Sequence, residues 1–297
     1  MKVCVCCLLL LPLLAVGAYA DILGTASSFA VLGATTVTNT GATTLGGNLG
    51  VSPGSSITGS GTITLTGSIY TPPSLADGAQ ADALTAYNIL KDLVVPAPID
   101  LSGSDLGSFL LPLTPGVYKF DTSAQLTGAL TLNFTGDNQK FVFQIGTTLI
   151  TGSGASVSII NAGSNDNVYW QVGSSATLGT STSFMGDIIA LQSVSMDTTA
   201  KDGCGSVIAL HGAVTLDTNT ISNTCTVAGT TTGTPGIPGT FGGTFTGTGN
   251  AVPTTTTTIL AGTTTESVVT PEPGTWLLLG SIIAVLAAQR RWARAKA

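Results

Sequence analysis

The chain has little charge and almost no catalytic side chains. Only 8% of its 297 residues are Asp, Glu, Lys or Arg, and the single histidine is His211. Residues 21–225 contain no Arg and no Glu. They contain four Lys and thirteen Asp, which gives a net charge of −9. This composition excludes a basic surface for nucleic acid and a metal site built on several histidines. It also excludes a polysaccharide-lyase site that pairs acids with a catalytic Arg.

One enzymatic option is left, a pair of Asp residues for glycoside hydrolysis. The candidates stand beside Gly, Asn or Thr at predicted strand ends, where turn chemistry explains them better. They are Asp166, Asp187, Asp197, Asp202 and Asp217. His211 lies in a predicted corner between two strands, a poor position for a general base. The sequence therefore predicts no enzyme, no catalytic residue, no metal and no cofactor.

A repeat dominates the second half of the chain. Four apolar segments start 27, 20 and 19 residues apart, and each is followed by a polar corner and a second short apolar run; they cover residues 141–145, 168–172, 188–191 and 207–210. A β-rich period near twenty is typical of a solenoid, in which each coil buries its apolar side chains only by stacking on its neighbours. The sequence therefore predicts a mostly β protein that acts through a long outer face.

One helix interrupts the predicted coils. Residues 22–68 are β-branched and Gly-punctuated, which indicates further short strands. Ser74 and Asp77 then match a capping box, and an apolar stripe at helical spacing runs from Leu75 to Leu93 before Pro96. We expect a helix over about 75–94 that lies along the solenoid, and an irregular cap over about 96–114 that protects one open end.

The first twenty residues match a secretory signal peptide that is cleaved before Asp21. Cys4, Cys6 and Cys7 leave with it, so only Cys204 and Cys225 enter an oxidising compartment. Their spacing of about one coil predicts a disulfide that fastens the last coils. Residues 226–270, of which 18 are Thr, cannot build a core and are predicted to be a linker.

The C-terminal residues 271–297 combine three features in order: Pro271-Glu272-Pro273, an apolar helix candidate over 276–288, and a basic tail with Arg290, Arg291 and Arg294. This arrangement resembles the PEP-CTERM sorting signal. The resemblance implies a Gram-negative bacterium, transient anchoring in the inner membrane, cleavage by an exosortase and release into an extracellular polysaccharide matrix. The alternative is a plain C-terminal anchor, with the basic residues on the cytoplasmic side.

Hydroxyl-bearing residues recur just after the second apolar run of each coil. A regular array of Thr hydroxyls and methyls, about 4.8 Å apart along the stacking axis, can hold water in an ice-like arrangement. The alternative is that Thr is simply a good β-former on a solvated face. The candidate ice-binding residues are Thr40, Thr43, Thr58, Thr151, Ser153, Thr180, Thr182, Thr199, Thr218 and Thr220; Thr180, Thr199 and Thr218 are expected to form one ladder.

Many ordered pieces of the chain resemble the microbial ice-binding proteins; they are residues 23–26, 29–32, 36–41, 47–54, 85–87, 113–118, 141–146, 170–179 and 212–217. The resemblance implies a right-handed, discontinuous parallel β-helix of triangular cross-section, with one long helix packed alongside. Ice binding in that family is assigned to one flat face, where some members repeat Thr, a small residue, any residue, and Thr or Asn. Only residues 40–43 match that pattern fully, and an Arg frequent near the position of Ser206 is absent.

Two functions remain open at this point. In the first, the secreted protein adsorbs to ice and inhibits ice growth and recrystallisation. In the second, it is a structural or adhesive protein of the extracellular matrix or biofilm that binds polysaccharide or other proteins without ice activity.

Overall fold

Parallel pairing between successive coils organises the fold. The computed structural model describes residues 21–224, which fall within one unit of the chain. Strand pairings run in the same direction from coil to coil; in the longest pairing, Lys140 to Ile145 lie opposite Asn167 to Val172. Parallel strands buried on both faces read as continuous apolar runs, which is why 141–145 and 168–172 stand out in the sequence.

The first part of the chain forms seven strands and the helix. They are β1 (Phe29–Gly33), β2 (Thr36–Thr40), β3 (Thr43–Gly46), β4 (Asn48–Val51), β5 (Ser56–Thr58), β6 (Ile63–Leu65), β7 (Ile69–Tyr70) and α1 (Leu75–Lys91). Short 3₁₀ turns cover Gly24–Ser28 and Ser60–Thr62, and a third, Leu106–Ser108, lies beyond the helix.

The second part supplies the remaining strands. They are β8 (Ile99–Asp100), β9 (Gly116–Phe120), β10 (Ala124–Leu126), β11 (Ala129–Asn133), β12 (Lys140–Ile145), β13 (Leu149–Thr151), β14 (Ser156–Ile160), β15 (Asn167–Val172), β16 (Ala176–Leu178), β17 (Ser183–Phe184), β18 (Asp187–Ala190), β19 (Val194–Met196), β20 (Lys201–Asp202), β21 (Val207–Ala209), β22 (Val214–Asp217) and β23 (Thr220–Ser222).

Each coil gives one strand to each of three sheets. Sheet A has the order β7-β4-β1-β21-β18-β15-β12-β9-β8, sheet B the order β10-β13-β16-β19-β22-β2-β5, and sheet C the order β11-β14-β17-β20-β23-β3-β6. The N-terminal coils stack on the last C-terminal coil, because β1, β2 and β3 pair with β21, β22 and β23. The predicted mostly β architecture with parallel sheets and one helix is confirmed.

Aromatic rings stack inside the coils along sheet A. The ring centroids of Tyr118 and Phe143 lie 5.3 Å apart, and those of Phe143 and Trp170 lie 3.9 Å apart. The Trp170 indole also donates a hydrogen bond of 3.0 Å to the carbonyl of Met185, so its polar atom is satisfied in the core. These inward side chains form a continuous narrow core along the stack.

Helix α1 begins and packs as its sequence predicts. The capping box is present: the Ser74 side chain accepts from the first turn, and the Asp77 carboxylate accepts from the Ser74 N–H at 3.0 Å. The helix buries one stripe, made of Ala76, Ala79, Ala83, Ala86, Tyr87 and Leu90. Beyond its end, the Gln144 side chain donates to the carbonyls of Leu90 and Leu93, which ties the last turn to sheet A.

The predicted elements at the chain ends lie outside the described residues, namely the signal peptide, the linker, Pro271-Glu272-Pro273 and the apolar segment 276–288. Within residues 21–224, no helix is long and apolar enough to cross a membrane. Cys204 is buried and disulfide-bonded. Its predicted partner Cys225 is outside the described range, so that pairing stays a prediction.

Close contact between successive corners gives a test of the stacking. A Cβ added to Gly173 would lie 2.1 Å from the Gly146 carbonyl oxygen, whereas a Cβ on Gly61 would have no atom within 4 Å. We expect Gly173→Ala to lower the free energy of unfolding by about 1–3 kcal/mol through overpacking, while Gly61→Ala leaves it nearly unchanged. Urea denaturation of both variants measures this, and equal stabilities would contradict the close corner packing.

Candidate functional site

The central strands of sheet A have no free outer face. Its outward side chains pack against α1 and the segment before β1 in a second buried cluster. Those contributed by the sheet are Phe29, Leu32, Val117, Val142, Tyr169, Ile189 and Ile208, and all are less than 3% exposed. An extended, exposed binding face must therefore lie on sheet B or sheet C.

The outer face of sheet B carries an in-register column of side chains, one from each strand. Its members, in stacking order, are Gln125, Ile150, Thr177, Ser195, Thr215, Thr38 and Thr58. We call this the central column. Its last five members all carry hydroxyls, and neighbours along it are separated by one strand spacing, about 4.8 Å.

A second hydroxyl column flanks the central column at the start of the strands. Thr36 lies opposite Ser56. Further along the stack the Ser193 N–H donates to the Ser175 hydroxyl at 3.3 Å, and the Ala213 N–H donates to the Ser193 hydroxyl at 3.2 Å. Sheet B therefore presents two parallel rows made mostly of small hydroxyl side chains.

The central column stands on a dry, closely packed base. In each strand the residues on either side of the column point inward, as Ala176 and Leu178 do around Thr177. Val194, Met196, Val214 and Leu216 do the same around Ser195 and Thr215, and each is at most 1% exposed. Such a base holds the column in fixed positions, because close-packed interiors resist local movement.

Charge lies at the edge of this face. Asp217 pairs with Thr40 at the end of β22, and its carboxylate accepts hydrogen bonds from the hydroxyls of Thr198 and Thr218. No Lys belongs to the central column. The middle of the face is therefore neutral, and carboxylates lie at its margins: Asp217 where the chain turns towards sheet C, and Asp105 opposite Gln125 at one end of the column.

Sheet C also carries a column of outward residues, but a charge interrupts it. In stacking order the column is Ala129, Ser156, Ser183, Lys201, Thr220, Thr44 and Thr64. Lys201 is exposed at its centre. Its flexible ammonium group rises above the short hydroxyls on both sides and divides the column into two short pieces.

The residues predicted from the sequence are dispersed over the coils. Thr58 belongs to the central column, Thr40 ends β2 of sheet B, and Thr220 lies on sheet C. The corner between the two sheets contains Ser153, Thr180, Thr199 and Thr218. Thr43, Thr151 and Thr182 are at most 3% exposed, so their assignment to a surface was wrong. The Thr43 hydroxyl donates to the Asn39 side chain at 2.6 Å, and the Thr151 and Thr182 hydroxyls are 2.8 Å apart.

The predicted ladder of Thr180, Thr199 and Thr218 is out of register by one residue. Ser181, Thr199 and Thr218 occupy equivalent positions: each has a positive φ, and their N–H groups donate to Thr198, Asp217 and Thr40. The Ser181 and Thr199 hydroxyls are 2.8 Å apart, with a separation of 18 residues along the chain. A constant spacing of 19 residues pairs Thr180 with Thr199. The coil between Ser181 and Thr199 is one residue shorter, so Ser181 is the true neighbour of Thr199.

Buried amides fix the corner between sheets B and C. The Asn219 side chain donates to the carbonyls of Asp197 and Ala200 at 2.9 and 3.0 Å, while its backbone N–H donates to the Thr43 hydroxyl. Asn39 in turn donates to the Gly41 carbonyl and the Thr62 hydroxyl. These bonds satisfy corner carbonyls that a buried turn would leave unpaired, and they hold the edge of sheet B in place.

Apart from Thr58, the central column was missed, although the sequence contains a signal for it. Thr177, Ser195 and Thr215 each stand between two apolar residues, and this alternation is typical of a strand with one buried face. The corners are richer in Thr than the strands are, and they therefore give the stronger compositional signal. The single polar residue inside each short strand was the better guide to the outer face.

Three of the five Asp residues considered for glycoside hydrolysis accept hydrogen bonds from the backbone. Asp166 accepts from the N–H groups of Gln139 and Gly163, both at 2.7 Å. Asp187 accepts from the Ser206 N–H at 2.9 Å, and Asp202 accepts from the Cys204 N–H at 3.3 Å. No group of three metal-ligating side chains occurs within residues 21–224.

Asp202 is fully buried, and Asp187 is partly buried. Burial raises the pKa of Asp202 to about 7. Burial, together with the nearby Asp21, also raises the pKa of Asp187 well above its usual range. One Asp202 oxygen and the Ser206 hydroxyl are buried without a hydrogen-bond partner. Relative to the unfolded chain, the folded protein therefore favours the protonated form of the Asp187 and Asp202 carboxyls.

This burial makes stability depend on pH. Because the folded pKa of Asp202 lies above the unfolded value of 3.8, the folded state retains protons that the unfolded state loses, and stability falls as pH rises from about 4 to about 7. We expect a lower melting temperature at pH 8 than at pH 5. Asp202→Asn should reduce this difference, whereas Asp197→Asn, an exposed control, should not. Thermal unfolding at both pH values decides the matter; an unchanged difference in Asp202→Asn would contradict this account.

Comparison with known proteins identifies relatives of this arrangement. The family model described as "Ice-binding-like" matches residues 31–222, which include every strand of sheet B. An ice-binding protein of Nostoc sp. (strain HG1) is 53% identical over 206 residues, covering 69% of this chain and 75% of the relative.

Solved structures show the same fold. An ice-binding protein from an Antarctic biological consortium is 40% identical, with a TM-score of 0.61, and the match covers 67% of this chain and 89% of that structure. The ice-binding protein of the Antarctic ascomycete Antarctomyces psychrotrophicus is 38% identical, with a TM-score of 0.61, and the match covers 67% and 96% of the two chains.

Proposed function

The chain belongs to the ice-binding-like family, and we propose that it adsorbs to ice through the outer face of sheet B. The central column carries this proposal, because it places Thr177, Ser195, Thr215, Thr38 and Thr58 in register on consecutive strands. Adsorption of the protein then slows the growth and recrystallisation of ice.

The chemistry of the column suits ordered water. Each Thr offers one hydroxyl, which donates and accepts hydrogen bonds, and one methyl, which water must surround. Repetition at the strand spacing of about 4.8 Å turns single water sites into a row. Because the apolar base holds the side chains still, little conformational entropy is lost when these waters join a crystal.

Sheet B is favoured over sheet C by charge and continuity. Lys201 interrupts the sheet C column, and an ammonium group binds water strongly in its own geometry. The sheet B column has five hydroxyl residues without interruption. The relatives that match over most of this chain bear the name ice-binding protein, which supports ice adsorption over a purely structural or adhesive matrix role.

The proposal includes a right-handed coil of triangular cross-section. Three strands per coil, joined by short corners in the constant order sheet A, sheet B, sheet C, support the triangle. Crossover connections between parallel strands of one sheet are right-handed in about 98% of cases, which supports the hand. A flat sheet B on one side of such a triangle suits a planar ice surface.

Residue patterns at the chain ends support export and sorting. The signal-peptide pattern of residues 1–20 and the Pro271-Glu272-Pro273 segment with its apolar run and basic tail support secretion, transient membrane anchoring and processing by an exosortase-type enzyme. Ice activity at the cell surface or in a polysaccharide matrix would then protect cells that freeze in place.

Two substitutions on one coil test which face binds ice. Thr215 lies in the central column and Thr220 in the sheet C column, and both are exposed. A tyrosine ring at residue 215 would stand above the row and keep its neighbours from contact with ice. We expect Thr215→Tyr to lower thermal hysteresis by about tenfold, since dispersion contact is lost steeply with separation, and Thr220→Tyr to retain it.

The corner positions predicted from the sequence provide a third comparison. We expect Thr180→Tyr to have a smaller effect than Thr215→Tyr, because Thr180 lies at the corner rather than in the column. All variants should keep the wild-type circular dichroism spectrum. Loss of hysteresis in Thr220→Tyr with retention in Thr215→Tyr would assign ice binding to sheet C instead.

A further inference from the structure

The two ends of the coil stack are different. At one end, β8 pairs with β9, and single bridges join Asp105 to Gln125 and Leu113 to Leu132, so a partial extra coil covers all three sheets. At the other end, sheets B and C finish at β5 and β6, and only sheet A is extended, by the two residues of β7. We call this second end the open end.

The open end leaves core positions partly uncovered. Ile57, Ile63 and Leu65 point into the coil interior but are only partly buried. Their partners one coil further in are Val37, Thr43 and Leu45, which are at most 1% exposed. The outer edges of β5 and β6 also carry backbone N–H and C=O groups for which the described residues supply no strand partner.

The strands of the open end carry no charged side chain, and the nearest described carboxylate on this side is Asp77 of α1, which accepts a hydrogen bond from the Ser52 hydroxyl at 2.5 Å. Residues 22–76, which form the last two coils of this end, contain no Asp, Glu, Lys, Arg or His. Charged side chains, Lys above all, are a usual means of keeping sheet edges apart. The covered end differs, since Asp100, Asp105, Lys119 and Asp121 lie there.

From these observations we propose that the open end is a docking surface for a second copy of this chain. The body carries a net charge of −9, so contacts elsewhere bring like charges together, whereas β5 and β6 of two open ends meet with no charged side chain of their own. An isologous pair uses the same patch on both copies. In it, the partly buried Ile57, Ile63 and Leu65 are covered and the edges of β5 and β6 gain partners.

Such docking would enlarge the ice-binding surface, a consequence that rests on the proposed function. Thr58 and Ser56 lie on the last strand of sheet B. If β5 of one copy pairs with β5 of the other, the two central columns join into one longer array. The docking itself is independent of ice and is measured without it.

Sedimentation velocity of the full chain over a wide range of concentrations tests the proposal. We expect a reversible dimer in the wild type. Gly61→Asp places a charge on the open end where an added Cβ meets no atom within 4 Å. It should weaken dimerisation by at least about tenfold, because like charges brought together across an interface are unfavourable. Ser104→Asp adds the same charge near the covered end, at an exposed residue, and should leave dimerisation unchanged.

A second open-end variant distinguishes weaker dimerisation from misfolding of the first variant. Thr64→Asp changes an exposed residue of β6, and it should act like Gly61→Asp while keeping the wild-type melting temperature. A monomer at every concentration would overturn the proposal. So would a dimer that both open-end variants leave intact, because the contact would then lie elsewhere, for example in the residues beyond 224.

Discussion

In-register parallel pairing between coils is the interaction on which the rest of the structure depends. A coil of about twenty residues has too little interior to bury its own side chains, so each strand must find partners on the coils above and below. The pairing aligns equivalent residues into columns. Inward columns become the core that contains Phe143 and Trp170, and outward columns become surfaces with a repeat of one strand spacing.

The covering of sheet A determines which columns are available for function. Helix α1 buries the outward residues of sheet A, so this sheet serves as the support of the molecule. Sheet C is exposed but contains Lys201 in its central column. Sheet B alone combines exposure, an apolar base and an uninterrupted run of hydroxyl residues. The proposed ice-binding face therefore follows from packing and charge together.

Local features were predictable from the sequence, and register was not. The apolar strands at 141–145 and 168–172 and the capping box at Ser74 were found because they depend on neighbouring residues. The stacking of β1 on β21 joins distant parts of the chain. Thr43, Thr151 and Thr182 appeared to be surface residues because composition does not tell whether a hydroxyl faces water or satisfies a buried corner.

The central claim is that the folded chain adsorbs to ice rather than only resembling proteins that do. The most direct test is to grow ice slowly from a dilute solution of the protein and to compare its concentration in the ice with that in the remaining liquid. This account predicts that the protein is enriched in the ice. Exclusion into the liquid, as for an ordinary solute, would contradict it.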